Sequence, residues 1–264
     1  MKLDGEIGEA AGALEEGNAL NPNALNPNAL NPNALNPNAL RPVALDPAAF
    51  DATTIGALTG PGEGGDLSRQ LLLYTVRCAL DSTQSVSFSW VDEAGESHDE
   101  LYWGSLGLAP SWADEPLASE EDQRWVSACL SALTNWYGVS VIVSLRGGHP
   151  ELAQVDPSEQ AIYTVREGAF WGNLFSAAPE IWACHEPASA AYARSSRRDC
   201  AAGHATVDPV TGEEAVSPCG IVGLAGSCAG VCSPVASEGG AVPSCAAAPG
   251  QPAVMGQVIT TYLR

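Results

Sequence analysis

Apolar positions divide the chain into zones of different period. Between residues 20 and 55 they recur at every fifth residue: Leu20, Leu25, Leu30, Leu35, Leu40, Leu45, Phe50 and Ile55. A period of five fits neither the 3.6-residue turn of a helix nor the alternation of a strand. From residue 66 the familiar periods appear. Asp66 followed by an apolar-rich run predicts a helix over 67–80, with Leu71, Tyr74 and Cys78 on one face. Val86, Phe88 and Trp90 alternate with serine as a half-buried strand, and the turn EAGES returns the chain to Leu101 and Trp103 as its hairpin partner. Ser119 with Asp122 has the form of a capping box, opening a second helix to about Tyr137. Its apolar stripe is Trp125, Val126, Cys129, Leu130 and Leu133, and Gly138 ends it. Val139, Val141, Val143 and Leu145 then alternate as a strand, and 162–175 reads as further strand or strand-turn structure. The fold class this predicts is α+β, two helices on a small, mostly antiparallel sheet.

The five-residue unit NPNAL is written four times without change from Asn21 to Leu40. Asn opens a turn through its side chain, Pro fixes φ at the next position, and the second Asn tolerates the third. Each unit is therefore a turn plus a short extended piece carrying one Leu. The segment resembles pentapeptide-repeat proteins, in which a central Leu or Phe every five residues points into a four-sided right-handed β-helix. The resemblance implies about two such coils over residues 18–57. Two features depart from the family pattern: Asn stands two before each Leu with Ala just before it, and the recurring Pro removes a backbone donor from every unit. The segment reads as a packing coil or a spacer.

All seven tryptophans lie between Trp90 and Trp182. Of the aromatic residues only Phe50 and Tyr262 fall outside Tyr74–Tyr192. The expected organisation is a flexible acidic N-terminus (1–17), the repeat segment (18–58), an aromatic-rich core domain (66–185) and a cysteine-rich tail (186–264) packing on that core. Charge is sparse and one-sided, with 31 acidic residues against 11 basic and a net charge of −20. Such a chain is repelled by phosphate backbones and anionic lipid surfaces, which excludes nucleic acid as a partner class. No apolar run is long enough to span a membrane.

The eight cysteines are Cys78, Cys129, Cys184, Cys200, Cys219, Cys228, Cys232 and Cys245. An even, clustered set in a Gly/Pro/Ser-rich context reads as disulfides and so as an oxidising compartment. The N-terminus, MKLDGEIGEAAGALEEGNAL, has no apolar signal core or cleavage site. An extracytoplasmic location, in the periplasm, at the cell surface or secreted, therefore expects the export signal to be missing from this chain. Cys78 and Cys129 sit on the apolar faces of the two helices, which pairs them; the alternative is two buried thiols. In the tail the simplest pairing joins neighbours, Cys184–Cys200, Cys219–Cys228 and Cys232–Cys245, with a swapped arrangement among the last four as the alternative. With few large apolar residues the tail relies on covalent closure for order.

Motifs for chemistry are thin. Trp103-Gly-Ser105-Leu-Gly107 imitates a serine elbow but lacks Gly two before the serine. Cys184, His185, Cys200 and His204 offer two sulfurs and two imidazoles, without the closely spaced Cys pairs of a structural zinc site. Glu167 and Trp171, in EGAFWGNLF, set a carboxylate among aromatics and glycines. Arg194, Arg197 and Arg198 form the one basic cluster. These five are the candidate binding residues; no catalytic residue, metal ligand or cofactor is assigned. The acidic group Asp92, Glu93, Glu96, Asp99 and Glu100 reads as a solvated face. The whole chain loosely resembles cysteine-rich exported proteins of GC-rich bacteria, uncharacterised ones, and this implies no activity. The expectation is a non-enzymatic structural or binding protein at the bacterial cell surface with a protein or cell-envelope partner. The competing class is a secreted hydrolase acting on peptide or glycan.

Overall fold

The computed structural model describes residues 15–18, 58–60, 62–113, 117–235 and 240–264. Nearly all of the repeat segment and the acidic stretch before Glu15 lie outside these residues, and so does the coil-or-spacer expectation.

The fold is α+β. Its centre is a sheet of six strands: β1 (Glu15–Asn18), β4 (Val141–Gly147), β5 (Val165–Asn173), β6 (Glu180–His185), β9 (Val222–Ser227) and β12 (Ile259–Leu263). Their order is β1-β4-β12-β5-β6-β9, and only the β6–β9 pair is parallel. β2 (Ser85–Val91) and β3 (Ser97–Trp103) form a separate hairpin, as do β7 (His204–Val207) and β8 (Glu214–Ser217), and β10 (Cys245–Ala246) pairs antiparallel with β11 (Ala253–Met255). The main helices are α1 (Gly62–Ala79) and α2 (Glu120–Ala132). The sequence places both helices on the sheet. In the structure only α2 lies on it, and α1 packs on the outer side of α2 with the β2–β3 hairpin beyond.

Strand alternation gives the sheet two apolar faces. Val143, Leu145, Phe170, Ile181, Ala183, Val222 and Ile259 face α2. Ala169, Trp171 and Cys184 face the other way, onto Cys228, Val242, Cys245, Met255 and Val258. α2 is therefore covered on both sides, which is why every residue from Trp125 to Ala132 is buried. Its N-terminus is built as the sequence predicts: the Ser119 hydroxyl accepts from the Asp122 amide at 3.3 Å, and Glu120, Glu121 and Asp122 occupy the positive end of the helix dipole. The helix closes at Leu133, short of the expected Tyr137.

Two parts of the sheet cross the boundaries read from composition. Glu15–Asn18, at the junction of the expected terminus (1–17) and the repeat segment (18–58), add an edge strand antiparallel to β4. β12, from the cysteine-rich tail, runs between β4 and β5 in the middle of the sheet. The sheet is thus continuous across the expected division at 185/186.

The serine-elbow lookalike has a structural task. Successive amides donate to the last carbonyls of α1: Ser105 to Leu80 at 2.8 Å, Leu106 to Arg77 at 2.8 Å, Leu108 to Cys78 at 3.0 Å and Ala109 to Ala79 at 2.8 Å. These are the acceptors that a helix end leaves open. Both glycines are required by this contact. A Cβ at Gly104 would stand 2.3 Å from the Asp81 carbonyl oxygen, and Gly107 has φ +63°. The acidic hairpin is likewise internally bonded: Asp99 accepts from Ser89, Glu100 from the Trp90 indole, and Asp92 holds His98 at 3.0 Å. That His98 hydrogen bond is the main reason the Asp92 pKa lies below the ordinary carboxylate value.

The eight cysteines form four disulfides: Cys78–Cys129, Cys184–Cys228, Cys200–Cys219 and Cys232–Cys245. The expected neighbour pairs Cys184–Cys200 and Cys219–Cys228 do not form. Parallel pairing of β6 with β9 delivers Cys228 beside Cys184, and the β7–β8 hairpin returns Cys219 to Cys200. Bridges in the second layer and between helices are compatible with an extracytoplasmic protein. No described helix is long and apolar enough to cross a membrane.

Candidate functional site

The segment Arg197–Cys200 links a buried ion pair to a surface shelf. It follows the short helix α5 (Ala190–Ser195), after α3 (Pro150–Ala153) and α4 (Pro157–Ile162) in chain order. Arg198 points inward. Its Nη2 donates to Glu167 Oε2 at 2.9 Å, and its Nε to the same oxygen at 3.2 Å. Nη1 and Nη2 also donate to the carbonyls of Thr134 and Ala132, each at 2.8 Å. Both charged side chains are 0% exposed. Arg198 thus closes the C-terminus of α2, where a cation is favoured by the dipole and by the open carbonyls. Glu167 reaches it through a break in register. Thr261 pairs with Gly168 and Tyr262 with Arg166, so Glu167 is left unopposed as a bulge, a device that re-aims a strand side chain. Glu167 Oε1 has no hydrogen-bond partner among the described residues.

Asp199 points the other way. Its Oδ2 lies 2.6 Å from His204 Nδ1. The His204 ring stacks on Trp136, with centroids 4.2 Å apart and planes at 10°, and meets Tyr137 edge-on at 5.6 Å. Trp136 remains 39% and Tyr137 43% exposed. The result is an indole backed on one face by an imidazole, with that imidazole fixed by a buried carboxylate. Burial first, and then the charge of Asp199, push the Tyr137 phenol above its ordinary pKa, while Arg194 and Arg197 oppose the shift. Asn135 ties the shelf to its support, donating to the Arg197 carbonyl at 3.0 Å and accepting from the Tyr137 amide at 2.8 Å. The Cys200–Cys219 bridge anchors the next residue.

Arg197 itself has φ +58°, the one described non-glycine residue in the left-handed region. The amides of Arg197 and Arg198 donate to the carbonyls of Arg194 and Ala193, at 3.0 and 2.8 Å. This is the Schellman closure of α5, with arginine where glycine is usual. Arg197 is exposed, and its carbonyl contact with Asn135 survives substitution. Arg197→Gly is therefore expected to stabilise the protein by about 0.5–1 kcal/mol. A higher urea midpoint at unchanged slope is the readout.

Of the five residues singled out from sequence, Glu167 and Arg198 come together, but in the interior rather than at a surface. Trp171 is fully buried on the opposite face of the sheet, in the sulfur-rich cluster. Arg194 pairs with Glu214 at 3.1 Å on the surface. The sulfurs weighed as metal ligands, Cys184 and Cys200, are both in disulfides. Sequence reasoning misses Trp136, Tyr137 and Asp199, because Trp136 and Tyr137 read as the end of a helix and Asp199 falls in no motif, and it weighs His204 only as a metal ligand beside Cys184, His185 and Cys200. The available signal was a Trp-Tyr pair just before a glycine, which places large aromatics in a turn. No family model, curated protein or solved structure matches this chain.

Proposed function

We propose that the protein is an extracytoplasmic binding module whose ligand is a glycan, held on the shelf of Trp136, Tyr137 and His204. The observation that carries this reading is the exposed indole stacked on a fixed imidazole. Aromatic rings held rigid with one end apolar and the other polar are suited to contact a partner. A pyranose ring presents an apolar C–H face to an aromatic plane and hydroxyls around its rim. The Tyr137 phenol and the His204 imidazole offer polar groups for that rim, and the charge of Arg197 acts on the same phenol. The net charge of −20 disfavours polyanionic ligands. The four disulfides support a location outside the cytoplasm.

The hydrolase reading draws on the Asp199–His204 contact, which has the form of an acid orienting a base. It lacks its third member. Ser217 stands opposite His204 in the hairpin register, yet no nucleophilic side chain hydrogen-bonds the imidazole among the described residues, and all eight cysteines are in disulfides. Binding is therefore favoured over turnover.

The test is titration with β-1,4-linked N-acetylglucosamine oligomers, followed by tryptophan fluorescence and calorimetry. Saturable binding is expected, and Trp136→Ala is expected to weaken it by about thirtyfold, the loss of about 2 kcal/mol associated with a central aromatic anchor. The fold is expected to survive, since the ring is partly exposed. Equal affinity of Trp136→Ala and wild type, or no binding by wild type, sinks the reading. Release of shortened oligomers during the titration revives the hydrolase.

A further inference from the structure

Two disulfides of the second layer touch. Cys184 Sγ lies 3.6 Å from Cys232 Sγ, although Cys184 is bonded to Cys228 and Cys232 to Cys245. Cys228 opens the short helix α6 (Cys228–Val231), and Cys232 closes it, its amide donating to the Cys228 carbonyl at 2.9 Å. The two sulfurs therefore stand one helical turn apart, both directed at the end of β6. Access is uneven. Cys184 and Cys245 are fully buried and Cys228 is 4% exposed, while Cys232 is only partly buried. Of the four cysteines, Cys232 is thus the one an external thiol can approach, and it is the residue in contact with the second bridge.

We propose that Cys184, Cys228, Cys232 and Cys245 form a thiol–disulfide exchange site that accepts two electrons from a dithiol reductant. The dithiol's thiolate attacks Cys232 Sγ and breaks the Cys232–Cys245 bond; Cys245 leaves as thiolate and takes up a proton. The second thiol of the reductant displaces Cys232 as thiolate, and the reductant departs as its own disulfide. The Cys232 thiolate then attacks Cys184 Sγ across the 3.6 Å contact. A Cys184–Cys232 bond forms, the Cys184–Cys228 bond breaks, and Cys228 leaves as thiolate and is protonated. The second stage is redox-neutral, so one dithiol is oxidised for one protein bridge lost. The anchor of β6 moves by one turn of α6, and the free thiols end on Cys228 and Cys245. Exchange of this kind needs an attacking thiolate, a reachable sulfur and a displaced thiol, and the geometry supplies all three in sequence. Cys78–Cys129 and Cys200–Cys219 serve as internal references.

The experiment uses the full oxidised chain under native conditions with limiting dithiothreitol. Aliquots are quenched in acid, alkylated with N-ethylmaleimide and mapped by peptide mass spectrometry. The first two labels are expected on Cys228 and Cys245, with a peptide linked through Cys184–Cys232, and at a rate about tenfold or more above reduction of the fully buried Cys78–Cys129 bridge. Labels on Cys232 and Cys245 with Cys184–Cys228 intact overturn the proposal. So do first labels on any other pair, or loss of all four bridges together. Cys245→Ser gives a second reading that needs no reductant: the oxidised variant is expected to carry Cys184–Cys232 and a free Cys228 in a measurable fraction. A variant holding only Cys184–Cys228, with Cys232 free, contradicts it. The wild-type experiment stands whether or not this variant folds.

Discussion

Glu167→Gln is expected to destabilise the protein by about 3 kcal/mol, and Arg198→Met by about 3–5 kcal/mol, the range for breaking one side of a buried ion pair. The two losses differ in origin. Without the Glu167 carboxylate, the guanidinium stays in the interior with neutral acceptors alone, the glutamine amide oxygen and the Thr134 and Ala132 carbonyls. Its charge is then uncompensated where no solvent reaches it. Without the guanidinium, three groups lose their donor at once: the carboxylate and both carbonyls at the end of α2. Each buried acceptor left open adds its own desolvation cost. The double variant separates the terms. Glu167→Gln with Arg198→Met removes both charges, so it is expected to cost less than the sum of the singles. It is not expected to return to wild type, because the helix-end carbonyls remain unsatisfied. Urea unfolding of the four proteins gives the cycle. Single-variant losses under 1 kcal/mol contradict the assignment of this pair as the tie between α2, β5 and the site segment.

The tie matters for function because Arg198 and Asp199 are adjacent. Anchoring one inward orients the other outward, toward His204. A loosened Arg198 is therefore expected to disorder the shelf as well as the core, and the Glu167 variants are informative in the glycan titration for that reason.

What the sequence conveys here follows from where physical determinants are local. α2 was legible because a capping serine, an acidic first turn and a helical stripe are all short-range. The β2–β3 hairpin was legible for the same reason, with its alternation and turn. β12 was not. Its sequence, Ile-Thr-Thr-Tyr-Leu, looks half polar, yet Thr260 and Thr261 are fully buried. Their hydroxyls are engaged, one accepting from the Val242 amide at 2.9 Å and one donating to the Gly168 carbonyl at 3.4 Å. Polarity hid a central strand because its partners come from distant sequence. The disulfides divide along the same line. Cys232–Cys245 and Cys78–Cys129 follow from spacing and helix faces, whereas Cys184–Cys228 depends on a parallel pairing that no local pattern announces. The site segment failed for a related reason. Glu167 and Arg198 read from sequence as candidate binding residues, and only the bulge in β5 and the open end of α2 explain how both fit inside.

Cys78→Ala with Cys129→Ala is expected to lower stability by about 4 kcal/mol, the chain-entropy value for a bridge spanning 51 residues. Against a total of about 5–15 kcal/mol for a native domain, this is a large fraction. The position of the bridge sharpens the expectation. α1 rests on α2 rather than on the sheet, and the β2–β3 hairpin rests on α1. Cys78–Cys129 is the covalent tie of this outer layer to the rest of the described protein. Both sulfurs are fully buried, so alanine also removes packed volume and adds to the loss. Hydrogen exchange is expected to show where the loss falls. Amides of α1 and of the hairpin should lose protection first, while those of β5 and β12 stay protected, because local opening follows the elements held by the fewest buried contacts. Denaturant unfolding of the variant should then show the outer layer melting before the sheet, as two transitions or a reduced slope. An unchanged midpoint, or uniform loss of protection across α1 and β12, contradicts this layered account and makes the six-stranded sheet and the outer layer one cooperative unit.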